Sequence, residues 1–189
     1  MMPLDAFFIL MLGLFAIIGG MRGWVKELLV TFSVFLGHFV EYIIVFILPK
    51  IDLLGDVPFA QAATAEAEAA VQGNKSWFYI RTLLFVVIVA FGYATTSIST
   101  KLGGQARKEK FQDTLLGIFL GLINGYLVVG SLWGFLDQLG YEGVLRITAP
   151  TNEGVLNFVS TYLPNVWLVE EWIFVLVAIS FTFVLIVFV

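Results

Sequence analysis

Cysteine is absent from this chain and charge is scarce, at 13% of 189 residues, with 10 Lys and Arg against 14 Asp and Glu. Without cysteine there is no disulfide framework, no thiolate nucleophile and no Cys metal site, and redox compartment cannot be inferred. A soluble domain carries about 25% charged residues, and so few charges cannot cover a water-facing surface. The net charge of -4 excludes the basic footprint of a nucleic-acid binder. His38 is the only histidine, which weakens any metal site. No H-E-x-x-H, G-x-S-x-G or phosphate-binding glycine loop occurs, and no paired nucleophile and base can be assembled. The sequence does not read as an enzyme.

What remains is apolar: 60% of residues are hydrophobic and 19 are Phe. Five apolar stretches stand out, at residues 4–21, 28–48, 77–98, 114–136 and 172–189. At about 1.5 Å per residue, each approaches or exceeds the length needed to cross a hydrocarbon core of about 30 Å. The expected fold is therefore an all-α integral membrane protein: a bundle of four transmembrane helices over residues 1–137, an interfacial segment at 138–171, and a fifth, C-terminal crossing at 172–189. Asp5 and Asp113 are placed to N-cap the first and fourth helices, and Pro49 to stop the second. Arg22 and Lys26 follow the first apolar run instead of preceding it, unlike a cleavable signal peptide.

The first two runs meet at Gly19–Glu27, a short charged hinge. This hinge and residues 101–112 are basic, with Arg22, Lys26, Lys101, Arg107, Lys108 and Lys110. Segments 49–76 and 137–171 are acidic. The positive-inside rule places both basic loops (19–27 and 101–112) in the cytoplasm and the N-terminus outside. Residues 59–72, rich in Ala and Glu, read as a surface helix, and 141–168 as an interfacial helix pair.

Three helices carry a polar or small-residue face at helical spacing. The second lines up Glu27, Thr31, Val34, His38, Glu41 and Val45; the third, Arg81, Gly92, Thr95, Thr96 and Ser99; the fourth, Asp113, Gly117, Gly121, Asn124, Gly125 and Ser131. Lipid offers no hydrophobic drive between helices, so such faces are expected to meet inside the bundle, with the glycine row as a close contact. An acid at mid-helix costs about 2.5–3.5 kcal/mol on insertion scales. Glu41 therefore calls for a partner, and Arg81, Thr82 and His38 are in reach. The pair His38 and Glu41 leaves several readings open: a proton relay, half of a metal site, a His ligand for a chlorin or haem, or a purely structural role in which Glu41 is protonated or snorkels and His38 is a satisfied interior imidazole. No cofactor is expected beyond that chlorin or haem alternative.

Asp5, Gly19, Arg22, Gly23 and Glu27 spell D-x13-G-x2-R-G-x3-E; Asp113, Leu116, Gly117, Gly121 and Gly125 spell D-x2-L-G-x3-G-x3-G. Over about residues 4–137 the chain resembles the colicin V production protein family, bacterial inner-membrane proteins with four transmembrane helices. Asn124 stands where members often have Arg, and the stretch 172–189, His38 and Glu41 lie outside the pattern. The resemblance implies a non-catalytic protein of the bacterial inner membrane, linked to bacteriocin (toxin) export or envelope homeostasis, or serving as a scaffold or anchor. Two other functions remain open: an accessory transmembrane subunit of a larger photosynthetic or respiratory complex, and a small proton-linked transporter using His38 and Glu41. Partners are then the lipid bilayer and other membrane proteins or further copies of the chain, without nucleic acid.

Overall fold

The computed structural model describes residues 3–44, 75–94, 110–141, 147–168 and 170–188. Among these the chain is helical without strands: α1 Leu4–Arg22, α2 Trp24–Tyr42, α3 Lys75–Ala94, α4 Lys110–Gln138, α5 Glu153–Tyr162, α6 Pro164–Trp167 and α7 Glu170–Phe188. Among the described residues three helices are long and apolar enough to cross a membrane: α1, α3 and the part of α4 from Phe111 to Gln138. The expected surface helix at 59–72, the basic loop before residue 110, Val45, Pro49, Thr95, Thr96 and Ser99 lie outside the described residues.

Two caps differ from expectation. The residue before α1 is Pro3, extended at φ −67° and ψ 150°, so the helix starts at Leu4 and Asp5 lies in its first turn without a capping bond. Its charge still suits the positive end of the helix dipole. Likewise α4 starts at Lys110, three residues before Asp113. Asp113 caps another helix instead: its Oδ1 accepts the backbone N–H of Trp24, at the start of α2, at 3.2 Å.

The hinge is also narrower than its charged residues suggest. Gly19–Arg22 belong to α1 and Trp24–Glu27 to α2, so the chain turns on Gly23 alone, at φ +84°. L side chains rarely adopt that conformation, and a Cβ on Gly23 would lie 2.7 Å from the Asp113 carboxylate.

α2 and α4 run parallel at the centre of the bundle. α1 lies antiparallel along α4 and barely touches α2, while α3 and α7 pack on other flanks of α2. The α2–α7 seam is aromatic, with Phe32 against Phe181 and Phe39 and Tyr42 against Phe174. Within 141–168, where a helix pair is expected, the described residues form α5 and α6. Asn152 caps α5 by accepting from the amides of Gly154 and Val155. Leu163 and Pro164 bury against Gly130 of α4, where a glycine leaves room for the proline ring. α4 ends in a Schellman motif, Tyr141 N–H to Leu136 O and Gly140 N–H to Asp137 O, with Gly140 at φ +77°.

Candidate functional site

The polar face of α2 is buried, and its side chains gather into two nodes separated along the helix. The node near the hinge is built on Glu27, fully buried. Asn124 of α4 donates through Nδ2 to Glu27 Oε2 and to the Glu27 carbonyl, both at 2.8 Å. Its own Oδ1 accepts from the Thr31 hydroxyl at 2.7 Å. Arg22 faces the other carboxylate oxygen, Nη1 to Oε1 at 3.2 Å. Arg22 also donates to the Tyr93 carbonyl at 3.4 Å and lies 4.3 Å from the Tyr93 ring centre. One carboxylate thus ties together α1, α2, α3 and α4.

The second node lies toward the far end of α2. Glu41 is flanked by His38 Nδ1 at 3.6 Å and Arg81 Nη1 at 3.7 Å. Arg81 donates to the Phe135 carbonyl at 2.8 Å and to Gln138, and lies over the Phe135 ring. His38 Nε2 is 2.7 Å from Ser131 Oγ, which donates to the Leu127 carbonyl at 2.6 Å. Phe85 and Phe135 enclose the imidazole. Both ring nitrogens therefore face a partner. Thr82, another reach for Glu41, has a buried hydroxyl without a hydrogen-bond partner among the described residues. The antiparallel α2 and α3 bring the Glu41 and Arg81 ends together, as expected.

Between the nodes, about 10 Å along α2 at roughly 1.5 Å per residue, lie the apolar side chains Val34 of α2, Val89 of α3, and Leu127 and Val128 of α4. With them lies the buried Ser33 hydroxyl of α2, which donates to the Val30 carbonyl at 2.7 Å and packs against Gly92 of α3.

The glycine row serves a different seam. A Cβ on Gly117 would meet the Gly19 carbonyl, and one on Gly121 the Phe15 carbonyl; on Gly125 it would lie 2.8 Å from Phe15 Cβ. Gly19, Gly117, Gly121 and Gly125 thus hold α1 against α4. The fourth helix does not present one polar face but two adjacent ones, glycines toward α1 and Asn124 and Ser131 toward α2. Asp5 stands apart from both nodes, in an open groove at the far end with Pro3, Thr151 and Asn152. Asp113 sits at the hinge without joining the Glu27 node.

Among the described residues no group of three or more His, Cys, Asp or Glu could hold a metal. Sequence reasoning placed Asn124 and Ser131 on the polar face but gave them no role; their amide and hydroxyl turn out to be the acceptors and donors that complete both nodes. Gln138 carried no signal at all. No protein-family model, curated protein or solved structure matches the chain.

Proposed function

We propose that the chain is a non-catalytic integral membrane protein, similar to the colicin V production proteins, that assists export or envelope processes or scaffolds a membrane assembly. The observation that carries this reading is the use of its interior polar groups. Glu27, Asn124, Thr31, Arg22 and Arg81 bond one another or backbone across helices, so they join helices instead of lining a cleft for substrate. Large apolar side chains meanwhile point outward on α1, α3 and α7, among them Ile9, Ile17, Leu83, Phe91, Ile179 and Ile186. Such surfaces suit lipid and the helices of other membrane proteins. α2 and α7 complete five crossings in this reading, with the hinge in the cytoplasm of a bacterial cell. A haem or chlorin on His38 is the less supported alternative, since Ser131 occupies Nε2 and two phenylalanines enclose the ring.

Purification in mild detergent, followed by identification of what remains bound, tests the scaffold. Defined membrane or export proteins, or a homo-oligomer, are expected; an isolated monomer with a turnover activity would overturn it. A visible absorption band in the purified protein would instead support the pigment-bearing subunit. Because the chain lacks cysteine, single cysteines report sidedness directly. Glu153→Cys should react with an impermeant maleimide from outside the cell and Lys26→Cys only after the membrane is opened.

A further inference from the structure

The far-end node contains the only histidine of the chain, and its hydrogen bonding has one free choice. Ser131 Oγ lies 2.7 Å from His38 Nε2 and 2.6 Å from the Leu127 carbonyl, but a hydroxyl has a single proton to donate. With Glu41 ionised, two arrangements give both ring nitrogens a matched partner. In one, Ser131 donates to Nε2; the ring is neutral, with its proton on Nδ1 directed at the Glu41 carboxylate. In the other, Ser131 donates to Leu127 and accepts from Nε2–H, while Nδ1–H still faces Glu41, so the ring is an imidazolium. The two differ by one proton on Nε2 and a rotation of the Ser131 hydroxyl. No helix has to move.

We infer that His38, Glu41 and Ser131 form a reversible one-proton binding site, open toward the far end of the bundle and closed toward the hinge. Access comes from the partial exposure of Glu41 and the exposed Gln138 beside it. Closure comes from Val34, Val89, Leu127 and Val128, which carry no group able to pass a proton on to Thr31 or Asn124. The Ser33 hydroxyl at this level is turned to the α3 side of α2, donating to the Val30 carbonyl beside Gly92. The charged and titratable groups facing the site are few. α2 supplies Glu41; α3 supplies Arg81, on the opposite side of that carboxylate; α4 supplies only the neutral Ser131 and Gln138. α7 packs on the other flank of α2 through Phe174, and its residues 172–186 are uncharged. The imidazolium is held by a carboxylate on one side and a hydroxyl on the other, which is what a buried cation needs. A site with one open end binds protons without conducting them, so it would report the acidity of one membrane face to the three helices that meet there. This goes beyond the scaffold reading and does not depend on which partner is bound.

With the protein in nanodiscs and its histidine labelled with 15N, the ring nitrogens give a spectrum with a single source. At alkaline pH the neutral ring should carry its proton on Nδ1, the tautomer less common in water. Stepwise acidification should convert it to the imidazolium while the bundle stays folded. Ser131→Ala leaves an Nε2–H without an acceptor, so conversion to the imidazolium should need a lower pH than in the parent, and Ser131→Thr should restore the parent behaviour. Vesicles containing wild-type protein and an internal pH dye should show no sustained proton flux. The site is overturned by a ring that stays neutral until unfolding, or by a conversion to the imidazolium that is indifferent to Ser131→Ala. Steady flux would overturn its closed end and turn the assignment to a proton path.

Discussion

Helix α4 packs against two neighbours by two different means. Toward α1 it offers Gly117, Gly121 and Gly125, and the backbones approach until no Cβ would fit. Toward α2 it offers Asn124 and Ser131, which exchange hydrogen bonds with Glu27, Thr31 and His38. The first seam depends on shape and tolerates no added volume. The second depends on matched donors and acceptors and tolerates no missing partner. Membrane helices associate by both routes, close packing through small residues and interhelical hydrogen bonds; here a single helix separates them onto adjacent faces. The exposure of α1 fits this division. Only Phe8 and Gly19 of α1 are buried, so apart from the contacts of Arg22 and Phe15 with Glu27 and Tyr93 its attachment rests on the line of closest approach to α4.

The largest effect should come from adding volume to the first seam. Gly121→Leu should force α1 away from α4, and even Gly121→Ala sets a Cβ against the Phe15 carbonyl and Gly19 Cα. Overpacking costs about 1–3 kcal/mol and sometimes more, and here the neighbour that must yield is backbone. Gly13 is the control: it lies on the same α1 with nothing near its would-be Cβ. Gly13→Ala should be neutral or stabilising by up to about 1 kcal/mol, from helix propensity alone. Thermal unfolding in detergent compares the two, and equal midpoints would erase the distinction between the seams.

Removing a partner from the second seam comes next. Asn124→Leu is close in volume but strips Glu27 of its amide donor and leaves the Thr31 hydroxyl only the Glu27 carbonyl as acceptor. A buried polar group left unpaired costs about 1–3 kcal/mol, and Arg22 still faces one carboxylate oxygen, which limits the loss. Glu27→Gln in the same background should recover part of it, because an amide tolerates the apolar neighbour better than a carboxylate does. If Asn124→Leu proves as stable as the parent, the polar seam is not holding α2.

Arg22→Lys should have a smaller effect. The ammonium keeps the charge opposite Glu27 but cannot also reach the Tyr93 carbonyl in a fork or lie flat over the Tyr93 ring. A loss of about 0.5–1 kcal/mol is expected from the cation–π contact, read as a lowered unfolding midpoint. A midpoint that does not move would show that charge alone suffices at the hinge.

The glycine row, the charged stripe of α2 and the Glu41–Arg81 meeting were legible because each is a spacing along one helix. What was not legible is pairing across distance. Asp113 precedes an apolar run just as a cap should, yet the amide it bonds belongs to Trp24, 89 residues earlier. On α4, the glycine row and the Asn124–Ser131 row lie only about 70° apart at 100° per residue, so a helical projection merges them into one face. Separating them takes knowledge of which neighbour sits where. α1 shows few chemical signals and so was not read as the partner of the glycines, although Gly19 and Gly23 stand in the motif that crosses the hinge.

At the far end of the shape-matched seam the α4 surface that meets α1 is braced by polar bonds within α4 and its terminal turn, and that brace should be sensitive to alkali. Phe8 of α1 packs on Trp133, whose indole N–H donates to the Tyr141 hydroxyl at 3.0 Å; that hydroxyl donates in turn to Asp137 Oδ1 at 2.9 Å. Tyr141 follows the end of α4 and holds φ +62°, a conformation uncommon for a side chain of its size, so its ring acts as an anchor for the turn. Burial, together with the bond to the Asp137 carboxylate, pushes its phenol above the ordinary tyrosine range, and the indole donor offsets only part of this. The folded state therefore holds the phenolic proton more tightly than the unfolded chain, where it leaves near pH 10. The resulting stability is complete below about pH 10 and is lost as pH rises toward the folded value. Tyr141→Phe should cost about 1 kcal/mol at neutral pH, from the unpaired indole N–H, and should lack this part of the alkaline decline. Chemical unfolding of both proteins from neutral pH to above pH 10 makes the comparison. The difference in stability should shrink as pH rises, and a constant difference would mean that the phenol only fills space at the end of an otherwise shape-matched seam.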